Sequence, residues 1–498
     1  MARDFLRDPF VAARVLVASA GVFSAGAFLL LALQRIGHPF ELEWMEGATL
    51  EHVRRILGGQ PIYVEPSTDF VPQIYTPFYL WASALVARAL GDGFLALRAV
   101  SLAAAFGCFL WIFRVVRRET SDSAAAMAGA GLFAATYGES GFFFDVGRAD
   151  MLFLFFALGA FACVRPGASR RELLAGAALA VLAYLTKQVA LSVWGALVVV
   201  CAVLHGRAGL WFALPSAIGI AGSSLLLDAA SEGWFRYYAY FVPSRHRYRP
   251  SMWTGYWTAH VLRLWLPLFL AGIGFLLLWY GRERRRLVYL ALPLGAMLVT
   301  SWYVRLKAGS HLNTLMPAHA LVAVCFGWSL PGLARSVRDA ARGRFASPAA
   351  ALVALVFLVP FVQLRWDGAR RVPSPEDRAS GERLLERLSS TEGDVLVPSH
   401  GYLGALAGKR AFAHAQAVVD ILAADPERGE ELRRDYAELV RARRFGAVVV
   451  DGDFLSLSEE LRAFYALEGP VFADDESFYP VTGYRTRPRS WWVPTTGP

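Results

Sequence analysis

The feature that most constrains this chain is a series of long apolar runs that recur along its first 365 residues. Most runs are close to the roughly 20 residues that an α-helix needs to cross the hydrocarbon core of a bilayer. Only 18% of all residues are charged and 56% are hydrophobic, a balance that excludes an ordinary soluble domain. We predict eleven spans, at about 11–34, 96–116, 124–138, 149–164, 172–186, 188–205, 209–228, 259–280, 287–303, 313–333 and 347–365.

Arginine-rich loops alternate with other loops, and this alternation predicts the side of the membrane that each loop faces. With eleven spans, four such loops share the side of the N-terminus: RVVRR (114–118), RPGASRR (165–171), RERRR (282–286) and RSVRDAARGR (335–344). Cytoplasmic loops are enriched in Lys and Arg, so we predict a cytoplasmic N-terminus and an extracytoplasmic C-terminus. The segment 76–91 is too short to span, and we expect it to lie in the interface or to re-enter.

The last part of the chain, 366–498, has a different composition. It carries more acidic than basic residues, whereas 1–365 is strongly basic and brings the whole chain to a net charge of +9. DVLVPSH (394–400) and GAVVVDGDF (446–454) are typical of buried strands, and helical patterns occupy about 375–390 and 427–444. The sequence therefore predicts a polytopic α-helical membrane domain, 1–365, followed by a small extracytoplasmic α/β domain, 366–498.

Three carboxylates, Glu41, Glu43 and Glu46, lie within the seven-residue stretch ELEWMEG that follows the first span. Glu43 and Glu46 are three residues apart, which predicts one face of a helix, and Glu41 has no obvious role and is expected to be a bystander. A carboxylate at the membrane edge is partly desolvated, which raises its pKa and makes it a better general base. The alternative is that Glu residues only complement the dipole at a helix N-terminus. We take Glu43 and Glu46 as catalytic candidates.

Further charges enter the apolar spans at the same predicted face. FFFDVGRADM (142–151) contains Asp145, Arg148 and Asp150, and Lys187 interrupts a long apolar run. Ionisable residues inside a membrane are costly and are commonly functional, so we take Asp150 as a catalytic candidate, with Arg148 and Lys187 as substrate-binding candidates. The alternatives are an ion pair of Arg148 with Asp145 or Asp150 that only locks helices, and a lysine that snorkels.

The enrichment of Lys and Arg in cytoplasmic loops has two exceptions here. Two basic loops are predicted to be extracytoplasmic, FRYYAYFVPSRHRYRPSMW (235–253) and VRLKAGSHLNTLMP (304–317). Guanidinium groups suit phosphate oxygens, so these loops favour an anionic, phosphate-bearing substrate, although contact with lipid headgroups is the alternative. The substrate-binding candidates in this region, together with Tyr75 of the YTPFYLW stretch, are Arg245, His246, Arg247, Arg305 and Lys307.

Neither the cysteines nor the histidines show the spacing of a metal site. All four cysteines lie in apolar runs, which predicts small hydrophobic side chains rather than disulfides or zinc ligands. His311 has no second histidine at ligand spacing. We predict no cofactor, and the carboxylates at 43 and 46 leave a divalent cation open.

The ordered set of EWMEG, YTPFYLW, GRADMLF and LTKQ resembles the GT-C superfamily of membrane glycosyltransferases, which includes protein O-mannosyltransferases and bacterial aminoarabinose transferases. The resemblance covers about residues 10–330 and is closest to an uncharacterised bacterial branch. It implies a polyprenyl-phosphate-linked sugar donor, an inverting single displacement and an acidic base in the first outer loop. Trp44 stands where relatives often have a second acid, and Thr76 stands where some have lysine.

These observations lead to a functional hypothesis with two alternatives. The hypothesis is a multi-pass glycosyltransferase of a bacterial inner membrane that acts on a glycan, lipid or protein acceptor, and nucleic acid is not expected as a partner. One alternative is a polyprenyl-lipid flippase or transporter, but transporters tend to have repeated halves, and no repeat is visible here. The other is a non-catalytic envelope assembly or sensor protein, which would leave the acid cluster unexplained.

Overall fold

Long helices dominate the computed structural model of the protein, which describes residues 8–341 and 343–495. In this part of the chain, seven helical stretches, some of which join two of the helices numbered below, are long and apolar enough to cross a membrane: Pro9–Arg35, Phe94–Thr120, Ala190–Ala230, Met252–Tyr280, Arg284–Arg305, Leu312–Ala341 and Gly343–Gln363. Ser123–Ala135 and Asp150–Cys163 are shorter apolar helices. Every predicted span coincides with a helix, while the count of eleven crossings stays a prediction.

The helices of the first 365 residues are numbered in chain order. They are α1 Pro9–Arg35, α2 Glu46–Leu57, α3 Phe78–Leu90, α4 Phe94–Thr120, α5 Ser123–Ala135, α6 Asp150–Cys163, α7 Arg170–Thr186, α8 Ala190–His205, α9 Leu210–Ala230, α10 Trp265–Tyr280, α11 Arg284–Arg305, α12 Met316–Ala341, α13 Ala346–Val356 and α14 Val359–Gln363. Short helical turns fill much of 231–264. The segment predicted to be too short to span forms α3, which has 13 residues.

Local signals in the sequence fix several helix ends. The side chain of Asp8 caps α1, whose first residue is a proline, and Asp122 caps α5 by accepting from the N–H groups of Ala124 and Ala125. Ser169 and Glu172 form a reciprocal capping box at the start of α7. Each cap satisfies N–H groups that the helix itself leaves without partners, which defines where the helix begins.

Glycines allow the central helices to approach each other closely. A Cβ atom on Gly131 of α5 would overlap the backbone of Gly21 in α1, and one on Gly327 of α12 would lie 2.9 Å from Gly129 Cα in α5. Small residues at helix contacts are the usual way in which membrane helices pack without large side chains between them. Helix α5 is therefore buried between α1 and α12, and large apolar side chains such as Phe23 point outward and are exposed.

Clusters of charged side chains lie at the two ends of this helical bundle. At one end, Arg118 and Arg165 both pair with Glu172, and Arg286 lies near Glu119, so three of the arginine-rich loops meet. At the other end lie Glu41, Glu43 and Glu46, and we call it the carboxylate end. The separation agrees with the predicted grouping of the loops, and which end faces the cytoplasm stays a prediction.

The C-terminal region is a small α/β unit. Its helices are α15 Pro375–Ser390, α16 Tyr402–Leu406, α17 Ala415–Ala424, α18 Pro426–Arg441 and α19 Ser458–Phe464, and its strands are β1 Asp394–Leu396, β2 Phe445–Val450, β3 Tyr465–Pro470 and β4 Ser490–Pro494. The sheet order is β1-β2-β4-β3, with β1 parallel to β2 and the other pairs antiparallel. The predicted strand at 394–400 is shorter because Pro398 begins a helical turn, and β3 and β4 were not predicted.

This C-terminal region is anchored to the carboxylate end of the bundle. Arg35, the last residue of α1, donates to the carbonyl of Arg371 and to Thr482 Oγ1, each at 3.2 Å. Backbone bonds join Thr482 N to the Leu42 carbonyl at 2.9 Å and Ala413 N to the Thr68 carbonyl at 2.8 Å. The region therefore packs directly on the loops that carry the candidate carboxylates.

Candidate functional site

Glu43 lies in the turn between α1 and α2 and is the central carboxylate of the site. Its side chain is buried, and Oε2 accepts from Arg148 Nη1 and from the Met45 N–H, each at 3.3 Å. Burial raises the pKa of Glu43 to about 7, and the neighbouring Arg148 opposes that rise. The prediction that Glu43 and Glu46 share a helix face is wrong, because α2 begins only at Glu46.

Arg148 and Lys187 converge on Tyr75 beside this carboxylate. Arg148 Nη2 donates to the Tyr75 hydroxyl at 3.1 Å, and Lys187 Nζ lies 5.3 Å from the centre of the Tyr75 ring. Lys187 also donates to Asp150 Oδ1 at 2.5 Å. Five predicted site residues, two acids, two cations and one tyrosine, therefore form one cluster.

The ion pairs of this cluster differ from those expected from sequence. Arg148 pairs with Glu43 rather than with Asp145 or Asp150. Asp145 is bound by Arg35, whose Nη2 and Nε atoms reach its two oxygens at 2.6 and 2.8 Å. Helix ends that are distant in sequence meet here, so the nearest charge in sequence is not the partner in space.

Glu46 is fully buried and its oxygens are all engaged. It accepts from both Arg98 Nη2 and Nε, at 2.7 and 3.0 Å, and from the N–H groups of Leu42 and Gly147 at 2.7 and 2.5 Å. These bonds tie α2, α4 and the loop before α6 to one carboxylate. The arrangement favours a role for Glu46 in holding the loop of Glu43, since no oxygen is left open to a reactant.

Arg98 is a site residue that sequence reasoning missed. It is fully buried, and besides Glu46 it donates to the carbonyls of His38 and Phe40 at 2.6 and 2.5 Å. It therefore fixes the path of the chain between α1 and α2. The signal was present, because Arg98 falls within a predicted span and buried ionisable residues in spans have partners.

Glu41 is not the bystander that we expected. Its Oε2 accepts from His400 Nδ1 at 2.6 Å, and its Oε1 accepts from the Gly47 N–H at 3.0 Å. The second ring nitrogen of His400 lies 3.1 Å from Asp451 Oδ2. A histidine of the C-terminal region thus links two acids, one of which belongs to the loop of Glu43.

The two basic loops form one surface. Ala308 N donates to the Arg247 carbonyl at 2.8 Å and Arg249 N to the Leu306 carbonyl at 2.7 Å, which pairs the two loops. Lys307 Nζ lies 4.1 Å from the centre of the Tyr248 ring.

Other side chains of these loops already have protein partners. Arg305 Nη1 donates to the Ser310 carbonyl at 2.7 Å. His246 Nε2 lies 3.5 Å from Asp420 Oδ1, and the Arg245 guanidinium lies over the Phe241 ring. Burial and the positive charges of Arg305 and Arg148 hold the pKa of His311 at about 4.

The donor set does not single out a metal site. Among residues 8–341 and 343–495, no group of three or more His, Cys, Asp or Glu side chains is placed to hold a metal ion. The four cysteines are free, as the sequence predicted, and three of them are buried.

Comparison with solved structures identifies the fold. ArnT from Cupriavidus metallidurans superimposes on the chain with a TM-score of 0.62 at 15% identity, covering 95% of this chain and 97% of that one. The same protein bound to undecaprenyl phosphate gives 0.61 at 14% identity, with the same coverage. The chain has the GT-C fold.

A second solved structure extends this likeness to another GT-C protein. The archaeal oligosaccharyltransferase AglB from Archaeoglobus fulgidus, in complex with an inhibitory peptide and a dolichol-phosphate, gives a TM-score of 0.56 at 13% identity. The match covers 90% of this chain and 70% of that one. No family model matches the chain, and a search of curated proteins finds no significant match. The expected GT-C fold is confirmed by these structural likenesses.

Proposed function

We propose that the protein is a membrane glycosyltransferase that moves a sugar from a polyprenyl-phosphate donor to an acceptor hydroxyl. The proposal rests mainly on the ion pair of Glu43 and Arg148. In this pair a buried carboxylate lies beside a cation at the carboxylate end of the bundle. The structures of ArnT with undecaprenyl phosphate and of AglB with dolichol-phosphate support a lipid-phosphate donor. The acceptor is a glycan, a lipid or a protein.

The proposed reaction is a single displacement with inversion. The acceptor oxygen attacks the anomeric carbon while the bond from that carbon to the phosphate oxygen breaks, and its electron pair leaves with the lipid phosphate. Glu43 takes the proton of the acceptor hydroxyl, and Arg148 and Lys187 stabilise the charge that develops on the phosphate. Asp150 holds Lys187 in place through the 2.5 Å contact between them.

The chemistry of Glu43 suits a general base. A base works best when its pKa is close to the operating pH, because it is then both ionised and able to hold a proton. Burial brings the pKa of Glu43 to about 7. An exposed glutamate, with a pKa near 4.3, would be ionised but about three orders of magnitude less basic.

The decisive experiment measures release of lipid phosphate. Purified protein is incubated with several polyprenyl-phosphate sugars and with a mixture of envelope acceptors. We expect release with one donor, and we expect Glu43→Gln to abolish it without lowering the melting temperature. Glu51→Gln is the matched control, because Glu51 lies on α2, which follows the turn of Glu43, but pairs with Arg54. Full activity of Glu43→Gln would refute its role, and lipid flipping without release from any donor would favour the transporter.

We further propose that the protein lies in a bacterial inner membrane with its carboxylate end and C-terminal region outside. Asp475→Cys places a thiol on a fully exposed site of the C-terminal region, and Arg285→Cys places one in the exposed first turn of α11, within the arginine-rich segment 282–286. We expect an impermeant maleimide to label the first in intact cells and the second only after lysis. The reverse pattern would overturn this topology.

A further inference from the structure

The C-terminal region touches the loop of Glu43 at three consecutive residues. His400 binds the Glu41 carboxylate, and Thr482 N donates to the Leu42 carbonyl. Gly483 lies against the Glu43 side chain itself, so that a Cβ atom there would come within 2.8 Å of Glu43 Cγ and Oε1.

Glycine is required at position 483 for two reasons. Its φ angle is +78°, a left-handed conformation that strains any residue with a side chain. In addition, the turn approaches Glu43 too closely to leave room for a Cβ atom. The turn is thus shaped to lie against one particular carboxylate.

We propose that His400, together with the turn at 482–483, positions Glu43 for catalysis, so that the C-terminal region completes the active site. The inference rests on the proposed function, because it assumes that Glu43 is the base. His400 is a positioning residue and not a catalytic one, since it touches Glu41 and Asp451 and does not touch Glu43.

His400 acts as a buried cation. Both of its ring nitrogens face carboxylate oxygens, so both carry protons and donate. Its side chain is only 2% exposed. Burial opposes the charge, but Asp451 and Glu41 together raise the pKa of His400 to about 10. The ring is therefore charged at neutral pH and holds the two carboxylates from opposite sides.

Other ionisable groups near His400 do not replace this cation. His414 lies close enough to lower the pKa of Asp451, but burial and the charge of His400 hold the pKa of His414 itself at about 3. Burial raises the pKa of Glu41, and the charge of His400 opposes that rise and keeps the carboxylate ionised beside it. Without His400, Glu41 would be a buried acid with no opposing cation.

Glu41 transmits this contact to the loop. Its second oxygen accepts from Gly47 in the first turn of α2, and Gly47 packs against Tyr402 of the C-terminal region so closely that a Cβ atom would overlap the Tyr402 ring. The segment 41–47 is thus held at one end by Glu41 and at the other by Glu46. Glu43 lies between these two supports, and a shift of either moves its carboxylate.

The test compares His400→Asn with the wild type in the lipid-phosphate release assay. We expect kcat to fall about 100-fold, the cost of misplacing a catalytic group by about 1 Å, while the KM for the donor stays within about twofold because Arg148 and Lys187 are untouched. The matched control is Arg410→Ala. This variant removes the ion pair of Arg410 with Asp69, which also joins the C-terminal region to the segment between α2 and α3. We expect this control to keep wild-type kcat.

A double variant separates positioning from folding. Glu41→Gln combined with His400→Asn removes the buried acid and its cation together, so the protein is expected to keep its melting temperature while kcat remains at least tenfold low. Wild-type kcat in either folded variant would overturn the positioning role and leave the proposed function intact, since Glu43→Gln would still be inactive. An inactive wild type would overturn both. If both variants unfold, Gly483→Ala replaces them, and wild-type kcat there would also overturn the inference.

Discussion

Replacing Arg148 with glutamine gives the sharpest test of the electrostatics at Glu43. Arg148 Nη1 lies 3.3 Å from Glu43 Oε2, and both side chains are buried. An opposite charge within about 4–6 Å lowers the pKa of a carboxyl group by about 1–3 units, which at about 1.4 kcal/mol per unit corresponds to about 1.4–4 kcal/mol. Removing Arg148 should therefore raise the pKa of Glu43 from about 7 to between about 8 and 10.

The assay is the pH dependence of kcat/KM for lipid-phosphate release. A general base must be ionised, so the rate of the wild type should rise with pH and level off above a midpoint near 7. In Arg148→Gln the midpoint should move to higher pH by about 1–3 units. At pH 7 this leaves about 0.1–10% of Glu43 ionised, compared with about half in the wild type.

Arg148→Lys is the control that keeps the charge. Its midpoint should remain within about one unit of the wild-type value, even though lysine loses the fork that reaches both Glu43 and Tyr75. A lower rate at every pH would show only that the guanidinium also contacts the donor. An unchanged midpoint in Arg148→Gln would refute the argument that Glu43 is the titrating base.

Three further perturbations test other parts of the site. Glu46→Gln leaves Arg98 buried without a counter-charge and should lower the free energy of unfolding by about 3–5 kcal/mol, measured by thermal melting in detergent. Lys187→Met should raise the donor KM about tenfold, whereas an unchanged KM and kcat would remove it from the phosphate site. Because the pKa of His400 is raised from 6.5 to about 10, its stabilising contribution is complete below pH 6.5 and is lost as the pH rises through about 10. The melting temperature of the wild type should therefore fall between pH 7 and 10 more than that of the double variant Glu41→Gln with His400→Asn, which lacks both groups, and parallel curves would contradict the charge assignment.

The membrane helices could be predicted from sequence because each one depends on its own residues. A run of apolar side chains is recognised from its own composition, and the structure has a helix at each predicted span. The order of the spans also predicted that the acidic and basic candidate residues lie at the same end of the helical bundle. The partner of each charge did not follow, because Arg148 finds Glu43 across 105 positions in the chain.

The contribution of the C-terminal region could not be predicted for a related reason. Nothing near His400 or Gly483 in sequence marks them, since their neighbours at Glu41 and Glu43 lie more than three hundred residues away. Glu41 appeared to be a bystander for the same reason. Only the packing of the C-terminal region on the first loop gives these residues a role.

The contact between Gly483 and Glu43 also has a consequence for biosynthesis. Glu43 precedes Gly483 by more than three hundred residues in the chain and is therefore synthesised well before it. Until Gly483 is added, a growing chain carries the carboxylate without the turn that lies against it. If the turn positions Glu43 as proposed, we expect a chain that ends before Gly483 to release less lipid phosphate than the full chain.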